Sequence, residues 1–271
     1  MFCHNFNGDF FFNSSRVLFK KVRINKIKVS IYPQSPQIYC SHSHLRQLYG
    51  LTHYWPFDNT TNDVIGNDHA SKVSCVNFSS DRFNKLDSSI NLCGGYLTLP
   101  ADVYFSGDFT ISVWLKKMNR VPNGSPVLDI GNGMGVDNVN LAYSVSSLGK
   151  YFDTGPLMYT MGSYYEENNP GVNVFLPTPV FKVIEWVHLT STLSGNTGTI
   201  YINGKLAGRN AVPAPLNKIR KSNFIGKTNW HYYNSALAVF DDLKIFNRAL
   251  SDEEVITNMN IYDNECCINR C

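Results

Sequence analysis

The stretch EWVHLTSTLSGNTGTIYINGKLAG, residues 185–208, decides how this chain folds. WVHLTSTL alternates, with Val187, Leu189 and Leu193 on one face, as a half-buried strand requires. SGNTG is a loop, and TIYI is a second strand that stops at Asn203-Gly204. Asn-Gly suits a type I′ turn, whose twist matches that of paired strands. KLAG then runs back. The stretch predicts a three-strand meander inside an antiparallel sheet.

The same rhythm extends outward. LTHYWPF, from Leu51, reads as a first strand, followed by the polar, turn-rich loop DNTTNDVIGND. VSCVNF and INLCGGYLTL are short β-like runs, the second broken by Gly-Gly. FTISVWLKK sets Phe109, Ile111, Val113 and Leu115 against Thr110, Ser112 and Lys116. Trp114 interrupts the polar side, so that face is expected to be partly covered. VLDIG, VNLAYSVSS and LMYTMGS follow, with Gly, Pro or Asn at the junctions. Short strands so punctuated predict a sandwich or jelly roll, not alternating βαβ units. One helix is predicted, at SDEEVITNMN, where Ser251 and Glu254 form a capping box.

Composition narrows the class. The 271 residues are 43% hydrophobic and 17% charged, which is globular and allows a sizeable core. No run of 18 apolar residues occurs, so no membrane-spanning segment is expected. Residues 16–28 hold six Lys or Arg and no acid, against a formal net charge of +3 for the chain. The remainder is therefore net acidic and predicts no nucleic-acid surface. Residues 1–48 read as a basic, weakly patterned tail, in which KVRINKIKVSIY could form a strand, and 263–271 as a Cys-rich end. The seven Cys lack a C-x-x-C pair, which disfavours a zinc knuckle. Together with sequons at Asn13, Asn59, Asn77 and Asn123, they point to an oxidising, extracellular setting. Asn59 and Asn77 are the expected glycosylation sites. The opening MFCHNFNGDFFFNSS lacks the order of a secretory leader, so the start is read as incomplete.

Five blocks now stand in order: HYWPFDNTTND, LTLPADVYFSGDFTISVWLK, WVHLTSTLSGNTGTIYINGKLAG, NFIGKTNW and FDDLKIFNRALSDEEV. Together they resemble the laminin G-like jelly-roll family of the concanavalin A-like lectin/glucanase group, over residues 49–262. The resemblance implies an all-β fold of two antiparallel sheets packed face to face, with the short C-terminal helix. It implies an extracellular recognition or adhesion module whose partner is a glycan or a protein. A glycosidase's carbohydrate-binding module, a glycan-active enzyme relic and an intracellular scaffold are the alternatives.

Candidate sites follow. Glycosidases on this fold need paired carboxylates, but none of the six Glu, at 166, 167, 185, 253, 254 and 265, falls in a Glu-x-Asp-x-x-Glu pattern. No enzyme is expected. In AVFDDLKIF, alternation places Asp241 on the face of Leu243 and Ile245, where a carboxylate is costly unless paired or coordinated. The resemblance places a structural calcium there, beside Asp58 and Asp63 of the first-strand loop. Clustered aromatics, Tyr159, Tyr164, Tyr165, Trp230, Tyr232 and Tyr233, are the candidate ligand-binding residues, since ring faces stack on sugars. Cys75 and Cys93, in two short strands 18 residues apart, are the expected disulfide. Cys40, Cys266, Cys267 and Cys271 could pair with one another or with another chain.

Overall fold

The computed structural model describes residues 27–29, 38–40, 49–118, 125–144, 155–160, 181–231 and 233–261. The chain divides into two units, Gly50–Ile256 and Met1–Tyr49 with Thr257–Cys271. Of the second, the described backbone includes β1 (Ile27–Val29) and β2 (Ile38–Cys40), an antiparallel pair with Ile27 opposite Cys40. Cys3, Cys266, Cys267 and Cys271 lie outside the described residues, as do Asn13 and Asn123.

In Gly50–Ile256 the strands are, in chain order, β3 (Leu51–Trp55), β4 (Ser71–Val73), β5 (Val76–Ser79), β6 (Ser89–Cys93), β7 (Tyr96–Leu99), β8 (Phe109–Lys117), β9 (Ser125–Gly131), β10 (Val139–Ser144), β11 (Leu157–Thr160), β12 (Trp186–Ser194), β13 (Thr197–Ile202), β14 (Lys205–Ala211), β15 (Ser222–Ile225) and β16 (Leu237–Phe246). They form two antiparallel sheets. The smaller runs β11-β10-β9-β15-β7-β4. The larger runs β14-β13-β12-β8-β16-β6-β5, and β3 also pairs with β16. Period-two patterning aims Ile111, Val113, Leu115, Leu189, Leu243 and Ile245 from the larger sheet into one buried cluster with Leu97, Leu128, Leu141 and Ile225 from the smaller. Among the described residues, no helix is long and apolar enough to cross a membrane.

The meander is present as β12-β13-β14, with Leu189 opposite Ile202 and Ile202 opposite Lys205. Asn203 and Gly204 have φ of 49° and 73°, the two left-handed residues of a type I′ turn. VSCVNF is not one strand. The chain turns at Ser74, φ 66°, and β4 joins the smaller sheet while β5 joins the larger. INLCGGYLTL does the same at its glycines, with β6 in the larger sheet and β7 in the smaller. At that double corner a Cβ on Gly95 would lie 2.5 Å from the Cys75 carbonyl oxygen, so only glycine lets the two crossings approach. Cys75 sits in the corner between β4 and β5, bonded to Cys93 at the end of β6, with a Cα–Cα distance of 5.4 Å. Peptide mapping of protein made under oxidising conditions is expected to recover the Cys75–Cys93 peptide; free thiols at both positions would refute the bridge.

The helix α1 (Asp252–Met259) starts as expected. Ser251 Oγ accepts from the Glu254 amide at 3.2 Å, and the Ser251 amide donates to Glu254 Oε2 at 2.9 Å. Val255 and Leu250 bury against Tyr201 and Phe246 of the larger sheet. Asn59 and Asn77 are both exposed, Asn77 on the edge strand β5.

Candidate functional site

Register fixes what the smaller sheet shows on its outer face. Leu141, Leu128, Ile225 and Leu97 lie in one cross-strand row and point into the core. The neighbouring row must point the other way. It runs Tyr159, Asn140, Asp129, Phe224, Thr98 and Ser71 across β11, β10, β9, β15, β7 and β4. Tyr96, two residues from Thr98, shares this face, and its ring meets Phe224 edge-on at 5.7 Å. Tyr96, Phe224 and Tyr159 are half-buried.

The loop after β15 folds onto this face. Asp129, fully buried, anchors it: Oδ2 accepts from Thr228 Oγ1 at 2.7 Å and the Asn229 amide at 2.9 Å. Oδ1 accepts from Asn138 Nδ2 at 2.9 Å and Asn229 Nδ2 at 3.0 Å. Burial pushes the Asp129 carboxyl up, opposed by these four donors. The loop is closed by the Ala236 amide on the Gly226 carbonyl, 2.7 Å. So held, Trp230 meets Tyr159 edge-on at 5.7 Å, and Lys227 Nζ lies 4.2 Å from the Tyr96 ring centre and 4.8 Å from that of Phe224. Of the aromatics expected to bind ligand, Tyr159 and Trp230 therefore stand together, with Trp230 buried. Tyr233 is half-buried in the same loop, its amide donating to the Trp230 carbonyl. Tyr164, Tyr165 and Tyr232 lie outside the described residues. Tyr96, Phe224 and Lys227 were not foreseen; the polar–aromatic alternation of GYLTL and SNFIGK was the available signal.

The three carboxylates expected to share calcium are occupied otherwise. A β-bulge falls in β16: Asp241 pairs with Trp114 and Lys244 with Ser112, so one extra residue intervenes. Asp242 is left-handed, φ 52°. The bulge breaks the alternation, and Asp241 faces away from Leu243 and Ile245, contrary to the sequence expectation. Both carboxylates meet one guanidinium. Arg82 Nη1 donates to Asp241 at 2.5 Å and Nη2 to Asp242 at 2.8 Å, all three side chains buried. Arg82 also lies over Phe83 and Trp114, at 4.6 and 4.9 Å. Burial alone would raise the Asp242 carboxyl. The Lys244 ammonium, the Arg82 guanidinium and the Tyr54 hydroxyl outweigh it and hold it below the usual carboxylate range. Asp58 pairs with Lys85 at 2.6 Å. Asp63 accepts the amides of Tyr54, Ile65, Gly66 and Asp68, pinning the first-strand loop. Arg82 thus supplies the positive charge at Asp241, and the three residues do not fit a shared calcium.

Among the described residues, one group of three metal-type side chains falls within 4.8 Å: His53, Asp63 and Asp68. It does not suit calcium, which takes hard oxygens, because Asp63 is saturated by amides and His53 offers nitrogen. His53 Nε2 lies 3.1 Å from Asp68 Oδ2 and 3.9 Å from Asp102 Oδ2. Burial, then the hydrogen bond and charge of Asp102, raise the Asp68 carboxyl. On the outer face of the larger sheet, Ser112 Oγ lies 2.9 Å from His188 Nε2, and both are at most 2% exposed. Glu166 and Glu167 lie outside the described residues.

A family model of the concanavalin A-like lectin/glucanases superfamily matches residues 91–256. No curated protein matches in sequence. Among solved structures, domain 4 of AbnA, a GH43 extracellular arabinanase from Geobacillus stearothermophilus in complex with arabinotriose, is similar at TM-score 0.57 and 18% identity, over 78% of this chain and 98% of that one. A botulinum neurotoxin type C structure, from work on cell entry through two ganglioside molecules, is similar at TM-score 0.57 and 15% identity, over 78% of this chain and 51% of that one. The binding domain of Paraclostridial Mosquitocidal Protein 1 is similar at TM-score 0.55 and 17% identity, over 78% and 52%. The chain spans about half the length of the last two structures.

Proposed function

Because the chain belongs to the concanavalin A-like lectin/glucanase superfamily, we propose that it is a non-enzymatic extracellular recognition module that binds an oligosaccharide on the outer face of its smaller sheet. The observation that carries this reading is the aromatic row on that face, Tyr159 with Trp230 at one end and Phe224 with Tyr96 at the other. Half-buried rings fixed by a sheet present flat apolar surface at little entropic cost, and sugar C–H faces stack on such surface. The arabinotriose complex of AbnA domain 4, alike in fold, supports a sugar as the ligand. The Cys75–Cys93 bridge supports an oxidising compartment. The one carboxylate of the row, Asp129, is enclosed by its four donors, so it serves as an anchor and not as an acid or base.

A glycan array followed by calorimetry tests the reading. Phe224→Ala and Tyr96→Ala are each expected to weaken the best ligand by about tenfold, the loss typical of a stacked contact residue. Ligands that ignore both substitutions would place the site elsewhere. Turnover of any array glycan would overturn the non-enzymatic assignment.

A further inference from the structure

The charge on this face is uneven in a way that specifies its ligand further. Lys227 is half-buried, with its ammonium held over two rings, Tyr96 and Phe224. Among the described residues, no carboxylate pairs with it. An ammonium is a compact, strongly hydrated charge with three donors, and ring faces satisfy only part of what it loses on leaving water. Asp129, the one formal charge in the row itself, has both oxygens taken by Asn138, Thr228 and Asn229 and is sealed from solvent. The charged group held over the rings at the Phe224 end is therefore the Lys227 ammonium. At the Tyr159 end the half-buried Tyr159 ring, backed by the buried Trp230, brings no formal charge. The two ends lie three strand spacings apart, about 14 Å.

Resting on the glycan reading above, we propose that Lys227 is the specificity-determining residue of this face, and that the oligosaccharide bound there carries an anionic group at the Tyr96–Phe224 end. The anion accepts charge-assisted hydrogen bonds from the Lys227 ammonium, while a neutral part of the same chain lies toward Tyr159. A carboxylate sugar and a sulfated sugar share this chemistry.

The test uses the full chain on matched acidic and neutral probes: oligogalacturonides with their methyl esters, sialyl-lactose with lactose, and sulfated with unsulfated oligosaccharides. The acidic member of at least one pair is expected to bind tenfold or more tighter at low salt, the scale of one charged hydrogen bond. Carboxylate and sulfate pairs tell the two sources apart. Lys227→Met is expected to erase that preference, the acidic member of the pair falling to the affinity of its neutral partner, while keeping the melting temperature. Lys227→Arg is expected to retain most of it. Neutral binding without an acidic preference, or a preference that survives Lys227→Met, would overturn the assignment of Lys227 and leave the glycan reading standing. Failure of every probe, neutral and acidic, would remove both.

Discussion

Arg82→Ala is expected to lower the unfolding free energy by about 3–5 kcal/mol, the range for removing one partner of a buried ion pair. The cause is local. The bulge at Asp242 turns two consecutive carboxylates to one side of β16, and the substitution leaves both at 3% exposure without their guanidinium. Arg82→Lys is expected to recover only part, because an ammonium cannot reach both carboxylates with the planar fork of an arginine. Urea unfolding of the three proteins measures this. A loss below about 1 kcal/mol would mean that the pair is incidental. Chelator is expected to leave the wild-type melting temperature unchanged. A drop with chelator that vanishes in Asp241→Ala would restore a metal ion to this place and displace Arg82 from the role given to it.

Stability is expected to fall on mild acidification because of His188. Burial, then the charges of Lys244 and Arg82, bring its pKa down to about 3. The unfolded chain takes up a proton near pH 6.5 and the native state does not. Protons therefore favour unfolding throughout the interval between those values. The contribution is whole above pH 6.5 and drains away as pH falls toward 3. At pH 5 the loss is about 2 kcal/mol relative to neutral pH. His188→Gln removes the titrating ring, and its stability profile is expected to run flatter between pH 7 and pH 5. Parallel profiles for the two proteins would mean that His188 charges freely in the folded state.

Much of this was legible in the sequence because local chemistry and tertiary structure agree. The Asn203-Gly204 turn, the alternation of FTISVWLKK and the Ser251–Glu254 box each need only neighbouring residues to be read. Trp114 on the polar side of β8 rightly signalled a covered outer face, where Ser112 and His188 are buried. Asp241 was misplaced because period-two counting assumes an unbroken ladder. A bulge is specified by the partner strand, and nothing in AVFDDLKIF marks it except the doubled Asp. Arg82 was missed for the same reason: it lies 159 residues from Asp241 and comes from a turn. The aromatic row was half seen. Tyr159 and Trp230 stood out as part of aromatic clusters, whereas Tyr96 and Phe224 looked like ordinary strand residues until register set them side by side.

The last strand of the domain, β16, is the seam of the larger sheet. It pairs with β8 along one side and with β6, then β3, along the other. Thr52 Oγ1 reaches the Ile245 carbonyl across 193 positions of sequence. A ribosome therefore releases β3, β6 and β8 long before the strand that joins them exists. Until it arrives, β3 has no ladder and β8 lacks one neighbour. Such long-range closure is slow and leaves strand edges open to aggregation. Completion of the larger sheet must wait for the C-terminal end of the domain, so a stalled or truncated chain ending before Leu237 holds that sheet in separate pieces, β14-β13-β12-β8 and β6-β5, with β3 unpaired.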